Sequence, residues 1–494
     1  MASRPRFPHN ALHIAYTCVL MLIAVAISVI VSQNHSCASE TASVNKVDVT
    51  RPNLIFIFTD DQRLDAIAAS GNSLIRTPNI DRLAARGVRF TNARVVMSLC
   101  SPSRAAALTG CYGSRNGVTS LGRPLAPGVV TFASLLQDDG YRTAMVGKWH
   151  IKDQPQDVGF DYHCTFYGNG TYHGRAVNDN GTSLKPEQHV DDYCVDRSIT
   201  FLRDASNAAI NDQSQPFVLF HATQLPHMDG RLSWPSQPEV RRTYDDDRMK
   251  LPSTWRGDLS GKPPYLAEVR NRTQALIYGY DQPENIRTHI ADYYAVITEM
   301  DQMLGRLFDE LDRLELWQNT WVIFMSDNGW LLGEHGMTSK VLPYESSVRV
   351  PMIVAGPGLE HGVEDRIALN IDIAPTLLDL AGLDVPDSMH GRSLKPLLLA
   401  DTLETSVWRE RFVYECINGF GRTRPMLAVI DKRWKLIHVW DDADEIGVRP
   451  PAFVELYDLE NDPDETHNLA DNEQHSAVLN ELAIAIEEHI EKML

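Results

Sequence analysis

The chain has 494 residues, too many for one ordinary hydrophobic core, which indicates two domains or one large α/β domain with an appendage. With 43% hydrophobic and 22% charged residues it has a globular composition, which excludes general disorder. Its 46 basic against 65 acidic residues give a net charge of −19, which argues against nucleic acid as a partner but allows an anionic substrate held by a few local cations.

The N-terminus has the pattern of an export signal. Arg4 and Arg6 precede an apolar stretch at about residues 15–31, and Ser36-Cys37-Ala38 offers small residues for cleavage. We therefore expect residues 1–38 to be a signal peptide and the protein to be secreted or periplasmic, or lysosomal in a eukaryote. The apolar stretch is long for a signal peptide, so an uncleaved anchor is the alternative, and a membrane is a partner only in that case.

Apolar runs of strand length alternate with helical segments through residues 50–400. The runs are Asn53–Thr59, Thr143–Val146, Phe217–Phe220, Trp321–Met325 and Met352–Val354. Between them, Thr77-Pro78 and Gly87 bound one helix, and the spacing of Val296, Met300, Met303, Leu307 and Leu311 predicts the buried face of another. Strands that are apolar throughout are buried on both faces, so we predict an α/β domain with a large, mostly parallel sheet flanked by helices on both faces.

Residues 401–494 have a different pattern, of short strands followed by a helix. The strands are expected at Val413–Cys416, Met426–Ile430, Lys435–Val439 and Glu455–Leu459, and the amphipathic helix from about Glu473. This predicts a small C-terminal α+β subdomain, an antiparallel sheet plus a helix. The polar, proline-rich residues 228–287 are expected to form a surface insertion near the site, with a plain solvated loop as the alternative.

Acidic and amide side chains follow two of the predicted strands. Asp60 and Asp61 follow the first strand, and Asp327 and Asn328 follow a later one. In such folds ligands gather at the carboxyl ends of the strands. An acidic doublet alone is often a turn or helix cap. Two sets of hard oxygen ligands, without thiolate or imidazole, suit Ca²⁺ or Mg²⁺ better than zinc.

Cys100 lies in a Cys-x-Pro-x-Arg pattern, within LCSPSRAAALTG at residues 99–110. Arg104 is one helical turn after Cys100 if Pro102 begins a helix, and the N-terminus of that helix would favour an anion. Taken alone, the pattern also fits a buried or disulfide-bonded cysteine. The run resembles the signature of the type I sulfatases, the formylglycine-dependent branch of the alkaline-phosphatase-like superfamily, whose cysteine is oxidised to formylglycine.

The resemblance extends over about residues 50 to 470. It includes the opening strand Asn53–Asp61, the segments Ser326–Pro351 and Asn370–Leu394, and the terminal segment Glu455–Asn468. It implies that Cys100 becomes the formylglycine nucleophile. It further implies that one Ca²⁺, with Mg²⁺ as the second choice, is bound by the modified Cys100 side chain together with the side chains Asp60, Asp61, Asp327 and Asn328.

The resemblance also implies roles for five further residues. Arg104 and Lys148 steady the nucleophile and the sulfate charge, and His150 takes a proton from the second hydroxyl of the hydrated aldehyde. His227 and Lys340 touch the sulfate and the leaving oxygen, and one of them protonates that oxygen. The position of His227 departs from many relatives, because four residues separate His221 from Pro226-His227. For His335 we expect a loop-positioning role.

The resemblance implies a sulfatase that hydrolyses a sulfate ester, after a formylglycine-generating or equivalent enzyme has converted Cys100. Together with the expected export, it implies a sulfated carbohydrate as the substrate. A phosphatase or phosphonate monoester hydrolase of the same superfamily is the nearest alternative. A silent sulfated-glycan binder and an anchored surface protein with an unmodified cysteine are the others.

Two secondary expectations concern covalent modification. Outside the leader, five cysteines remain, an odd number that fits the loss of one to modification, and Cys164 and Cys194 are one possible disulfide pair. Asn169, Asn180 and Asn271 begin glycosylation sequons, which matter only in a host that glycosylates.

Overall fold

The computed structural model describes residues 51–210, 215–399 and 408–493, together with Met1. The expected signal peptide at residues 1–38 and the expected domain boundary at 400/401 lie outside these ranges. In the ranges described, no helix combines the length and the apolar character that crossing a membrane requires.

The strands of the described ranges fall into one large sheet, one four-stranded sheet and two small pairs. They are β1 (Asn53–Thr59), β2 (Gly87–Phe90), β3 (Ala93–Arg94), β4 (Arg142–Lys148), β5 (Tyr162–Phe166), β6 (Val177–Asp179), β7 (Thr182–Leu184), β8 (Phe217–Ala222), β9 (Thr320–Ser326), β10 (Leu331–Leu332), β11 (Thr338–Ser339), β12 (Met352–Ala355), β13 (Gly362–Glu364), β14 (Ala368–Leu369), β15 (Arg411–Cys416), β16 (Met426–Asp431), β17 (Trp434–Val439) and β18 (Phe453–Asp458).

The helices cover both faces of the large sheet and one face of the four-stranded sheet. They are α1 (Pro78–Ala85), α2 (Cys100–Thr109), α3 (Gly113–Asn116), α4 (Phe132–Asp138), α5 (Val190–Ile210), α6 (Pro238–Arg241), α7 (Arg270–Ile277), α8 (Pro283–Arg313), α9 (Glu345–Val348), α10 (Ile373–Leu380), α11 (Lys395–Leu399) and α12 (Ser476–Met493).

The large sheet has ten strands among the described residues, in the order β13-β2-β12-β9-β1-β8-β4-β5-β6-β7. The central strands β9, β1, β8, β4 and β5 are all parallel. The strand β12 is antiparallel to both of its neighbours. The prediction of a mostly parallel sheet is confirmed. The direction of β12 was not predictable, because burial on both faces carries no information about strand direction.

The two faces of the sheet pack against two separate apolar cores. Along β1, Leu54, Phe56 and Phe58 point into one core, and Ile55 and Ile57 point into the other, as the alternation of a strand requires. The second core also receives the predicted stripe of the long helix α8. Burial on both sides explains why β1 is apolar along its whole length.

The C-terminal strands β15 to β18 form an antiparallel sheet in sequence order, as predicted. Tyr414 and Ile437 lie on one face of this sheet and belong to the large core beside the main sheet. Leu427 and Leu436 lie on the other face and pack against Ile486 of α12. The small sheet therefore shares its inner face with the core of the α/β part.

Two further expectations have different outcomes. Residues 228–287 bury several large apolar side chains, among them Trp234, Leu266 and Tyr280, so the alternative of a plain solvated loop does not hold. The five described cysteines are all buried and carry free thiols, so Cys164 and Cys194 do not form a disulfide here.

Candidate active site

Cys100 is the first residue of α2. Leu99 before it is extended, with φ −145° and ψ 133°, and its carbonyl accepts a hydrogen bond from the Ser103 N–H at 2.9 Å. Pro102 fits the first turn because that turn has no need of its N–H. All ten residues of the helix are buried, and Cys100 is 2% exposed. The sulfur atom thus lies at the positive end of a buried helix.

The oxygen-bearing residues at the ends of β1 and β9 lie next to each other. The two strands are paired in parallel with Thr59 opposite Ser326, so Asp60 and Asp327 leave the sheet side by side. The Asp61 N–H donates to Asp327 Oδ1 at 3.2 Å. Ligand atoms of Asp60, Asp61 and Cys100 all lie within 4.8 Å of one another.

This oxygen cluster fits a hard divalent cation. In the part of the chain that the structure describes, Asp61 Oδ2 and Asn328 Oδ1 are buried without a hydrogen-bond partner. A buried carboxylate or amide oxygen is costly to leave without a partner, and such oxygens are the ligands that Ca²⁺ and Mg²⁺ prefer. Asp327 lies beside the cluster, but both of its oxygens accept hydrogen bonds, from Asp61 N and from Arg104.

Three buried cations face the three carboxylates. Arg104 Nη2 lies 2.8 Å from Asp327 Oδ2 and 3.5 Å from Asp60 Oδ2, so it bridges the two strand ends. Lys148 is paired with Asp60, and its Nζ lies 3.7 Å from Cys100 Sγ.

Lys340 is the cation closest to the sulfur atom. Its Nζ is paired with Asp61 and lies 2.8 Å from Cys100 Sγ. Lys148 Nζ and Lys340 Nζ are both close enough to Cys100 Sγ to contact an anion bound at that atom.

The charges of the site set the protonation of its carboxylates. Burial raises the pKa of Asp60, but Lys148 and Lys340 outweigh it and hold that pKa well below the usual value. Burial raises the pKa of Asp61 to about 7; Lys340 opposes this rise, and the charge of Asp60 adds to it. At neutral pH Asp60 is therefore ionised, whereas Asp61 is about half ionised, because its pKa is close to the pH.

The thiol of Cys100 is neutral at neutral pH. Burial, together with the charge of Asp60, raises its pKa to about 12, even though Lys148 and Lys340 act in the opposite direction. A protonated thiol is a weak nucleophile. The site is thus poorly suited to chemistry by an unmodified cysteine.

The two histidines of the site are neutral. Burial and the charge of Lys148 lower the pKa of His150 to about 2, and burial lowers the pKa of His227 to about 3. His227 Nδ1 lies 2.8 Å from the Met228 carbonyl, which can only accept, so Nδ1 carries the proton. The basic Nε2 atom of His227 lies 3.6 Å from Asp61 Oδ2. Both rings therefore carry no positive charge at neutral pH.

Several residues of the site were not found from the sequence. Asn169 Oδ1 accepts a hydrogen bond from Lys148, although the sequence singles out Asn169 only as part of a sequon. The Ser101 hydroxyl donates to the His150 carbonyl at 2.6 Å. The Trp330 ring lies 5.7 Å from Lys340 Nζ. No periodicity or spacing marks Asn169 or Trp330 as residues of the site. The only signal for Ser101 is its position inside the Cys-x-Pro-x-Arg pattern that begins at Cys100.

Lys340 lies between two residues in the left-handed region. Ser339 has φ 75° and Val341 has φ 84°. A β-branched residue such as valine rarely adopts this conformation, which costs about 1–3 kcal/mol and persists only where the surroundings enforce it. The His335 backbone N–H donates to the Thr254 hydroxyl at 3.0 Å, and the His335 ring lies 4.9 Å from the Tyr344 ring. Its loop-positioning role stays a prediction.

Comparison with known proteins gives one consistent family. Residues 52–383 match the family model described as Sulfatase, and residues 333–492 match the model described as N-sulphoglucosamine sulphohydrolase, C-terminal. An N-acetylglucosamine-6-O-sulfatase of Bacteroides thetaiotaomicron is 29% identical, over 90% of this chain and 88% of that protein.

Solved structures agree with this match. A structure in complex with its substrate D-glucosamine-2-N,6-O-disulfate has a TM-score of 0.79 at 28% identity and covers 90% of this chain and 98% of that one. A phosphonate monoester hydrolase of Agrobacterium radiobacter has a TM-score of 0.71 at 22% identity, with 90% and 96% covered. The second likeness shows a shared fold alone.

Proposed function

Because the chain belongs to the type I sulfatase family and is a sulfuric ester hydrolase, we propose that it releases sulfate from a sulfated carbohydrate through a formylglycine formed from Cys100. The observation that carries this proposal is the placement of Cys100 Sγ at the start of a buried helix, 2.8 Å from Lys340 Nζ and 3.7 Å from Lys148 Nζ. The carbohydrate class is supported by the relative that acts on N-acetylglucosamine 6-sulfate and by the glucosamine disulfate complex.

The chemistry requires two hydroxyls on one carbon. One hydroxyl of the hydrated aldehyde attacks the sulfate sulfur, and the bond from sulfur to the substrate oxygen breaks. The second hydroxyl then loses its proton, its oxygen forms the aldehyde, and the carbon–oxygen bond to the sulfate breaks. We assign the removal of that proton to His150, which is buried and neutral and whose Nδ1 lacks a partner among the described residues.

Of Lys340 and His227, Lys340 is better suited to protonate the leaving oxygen. Burial alone would lower the pKa of Lys340, but Asp61 and the other negative groups raise it well above the usual value, so it carries a proton at neutral pH. His227, with a pKa of about 3, carries no extra proton there. We therefore assign protonation of the leaving oxygen to Lys340. His227 can donate a hydrogen bond to the sulfate from Nε2 only once that atom has taken up a proton, which the negative charge of a bound sulfate favours.

We propose Asp60, Asp61, Asp327, Asn328 and the modified residue 100 as ligands of one Ca²⁺. A divalent cation there would neutralise sulfate charge and favour the deprotonated nucleophile. The two unpartnered oxygens at Asp61 and Asn328 support this assignment. We further propose that the protein is exported and matured by a formylglycine-generating or equivalent enzyme.

The test is mass analysis of the tryptic peptide Val95–Arg104 from protein made in its native host, together with a sulfate-release assay. We expect an aldehyde at position 100 and release of sulfate from sulfated saccharides. An intact thiol together with no sulfate release would refute the proposal. Turnover of sulfate, phosphate and phosphonate esters that share one leaving group tests the alternative activity, and a preference for the phosphorus esters would establish it.

A further inference from the structure

The backbone around Lys340 is held from one side by Asn271 of α7. The Asn271 side-chain amide donates to the Thr338 carbonyl at 2.9 Å and to the Lys340 carbonyl at 2.8 Å. Asn271 is 3% exposed, so these bonds are not in competition with bulk water. Both carbonyls belong to the segment in which Ser339 has a positive φ.

Tyr414 of the C-terminal sheet holds the same segment from the other side. Its hydroxyl donates to the Val341 carbonyl and accepts from the Ser98 N–H at 3.2 Å. Tyr414 is 0% exposed. The Val341 N–H in turn donates to the Ser98 carbonyl at 3.1 Å. One tyrosine thus links the residue after Lys340 to the residue two positions before Cys100.

The hydroxyls in this region form one directed chain. The Ser347 hydroxyl donates to Ser98 Oγ at 2.9 Å. Ser98 Oγ lies 2.8 Å from the Tyr414 hydroxyl, which already uses its single hydrogen on the Val341 carbonyl, so Ser98 is the donor. Aligned hydroxyls of this kind polarise one another and fix a single geometry.

These contacts enforce a conformation that the sequence alone disfavours. Val341 is β-branched and has φ 84°, and Ser339 has φ 75°. Without its anchors this segment would relax toward ordinary backbone angles, and the Lys340 side chain between the two residues would move.

We propose that Asn271 and Tyr414 are positioning residues that hold the Lys340 ammonium against the nucleophile, so that the C-terminal sheet is a working part of the active site. This inference rests on the role proposed above for Lys340. Neither residue touches the reacting atoms, and both act through the backbone on either side of Lys340.

The experiment compares Asn271→Ala and Tyr414→Phe with the wild-type enzyme. The substrate is glucosamine 6-sulfate, because its alkoxide leaving group needs the proton that Lys340 supplies. We expect each variant to lower kcat by about tenfold or more, because small displacements of a catalytic group are costly. KM should change by less than about twofold, since charge on the leaving oxygen develops in the transition state and not in the bound substrate.

A double-mutant cycle with Lys340→Ala shows whether Asn271 acts through Lys340. In the Lys340→Ala background, Asn271→Ala should lower kcat by less than about twofold, because the group that Asn271 positions is gone. An equal loss of kcat in both backgrounds, or no loss in either, would overturn the proposal. No change on Lys340→Ala itself would refute the role of Lys340 and with it this inference, whereas the sulfate that the variant still releases would leave the proposed sulfatase activity standing.

Asn468→Ala is the matched control. The Asn468 amide also donates to two backbone carbonyls, of Gly261 at 2.9 Å and Val454 at 3.0 Å, away from the site. It should lower the unfolding temperature but leave kcat unchanged.

If Asn271→Ala does not fold, Tyr414→Phe takes its place in the cycle, since it removes only the hydroxyl that donates to the Val341 carbonyl. A loss of kcat that disappears in the Lys340→Ala background then supports the proposal, and an equal loss in both backgrounds overturns it.

Discussion

Cys100 and its neighbours show how a single side chain determines whether the reaction can be completed. The site holds a residue at position 100 within reach of Lys148 and Lys340. Under the proposed chemistry, a serine there would still offer one hydroxyl to the sulfate. It would lack the second hydroxyl whose collapse releases the product.

We therefore expect Cys100→Ser to become sulfated once and then to stop. Mass spectrometry of the intact protein after incubation with substrate should show one sulfate per chain, and sulfate release should not exceed one equivalent. Cys111→Ser, two residues beyond the C-terminal end of α2, should retain full turnover. Multiple turnovers by Cys100→Ser would contradict the elimination step.

The buried ion pairs of Arg104 contribute to stability, and this contribution can be measured. It pairs with Asp327 and Asp60, and its side chain is 1% exposed. Arg104→Met would leave both carboxylates without this partner, so we expect the free energy of unfolding without calcium to fall by about 3–5 kcal/mol in urea titrations. The surface arginine Arg82, paired with Asp309, should lose less than about 1 kcal/mol on the same substitution. Equal losses for the two variants would argue against a buried charge network.

At the scale of elements, the helix α8 carries a buried acid in its apolar face. Glu299 is 4% exposed and accepts a hydrogen bond from the Gln237 N–H. Burial raises the pKa of Glu299 from its ordinary value of 4.5 to about 7. The folded state therefore holds this proton more tightly than the unfolded state, and stability falls as pH rises from about 4.5 through 7.

Glu299→Gln should remove this pH dependence, because a neutral amide oxygen can accept the same hydrogen bond. We expect the variant to gain about 1–2 kcal/mol of unfolding free energy at pH about 8 and little at pH about 5. Urea unfolding at the two pH values measures the difference. An equal effect at both would mean that Glu299 is not protonated in the folded protein.

The elements themselves were largely predictable from the sequence. The apolar runs that became β1, β4, β8 and β9 show burial on both faces, and parallel strands bring their ends together, which is why Asp60 and Asp327 were expected to be close.

Asn271 and Tyr414 could not be predicted, because they act on backbone carbonyls about 70 residues away and hydrogen bonds of that kind leave no local pattern. In the sequence, Asn271 marks only a sequon. In the fold its side-chain amide is buried and donates to two backbone carbonyls, so we do not expect a glycan there.

At the scale of the whole molecule, the C-terminal sheet completes the core beside the α/β sheet. Tyr414, Ala428 and Ile437 belong to the same apolar cluster as Phe56 of β1. A chain ending at residue 399 would expose that surface. We expect it to be insoluble or to lack a cooperative thermal transition, as judged by circular dichroism. A soluble, cooperatively folding fragment would show that the two parts fold independently.

The burial of α2 has a consequence for the order of events in the cell. Under the proposed maturation, an enzyme must reach the sulfur of Cys100, yet that residue is only 2% exposed once the chain has folded. We therefore expect this oxidation to take place on the unfolded chain, before Cys100 is buried. A molecule that folds before it is modified would keep its thiol permanently. The fraction of active protein would then depend on the rate of modification relative to the rate of folding.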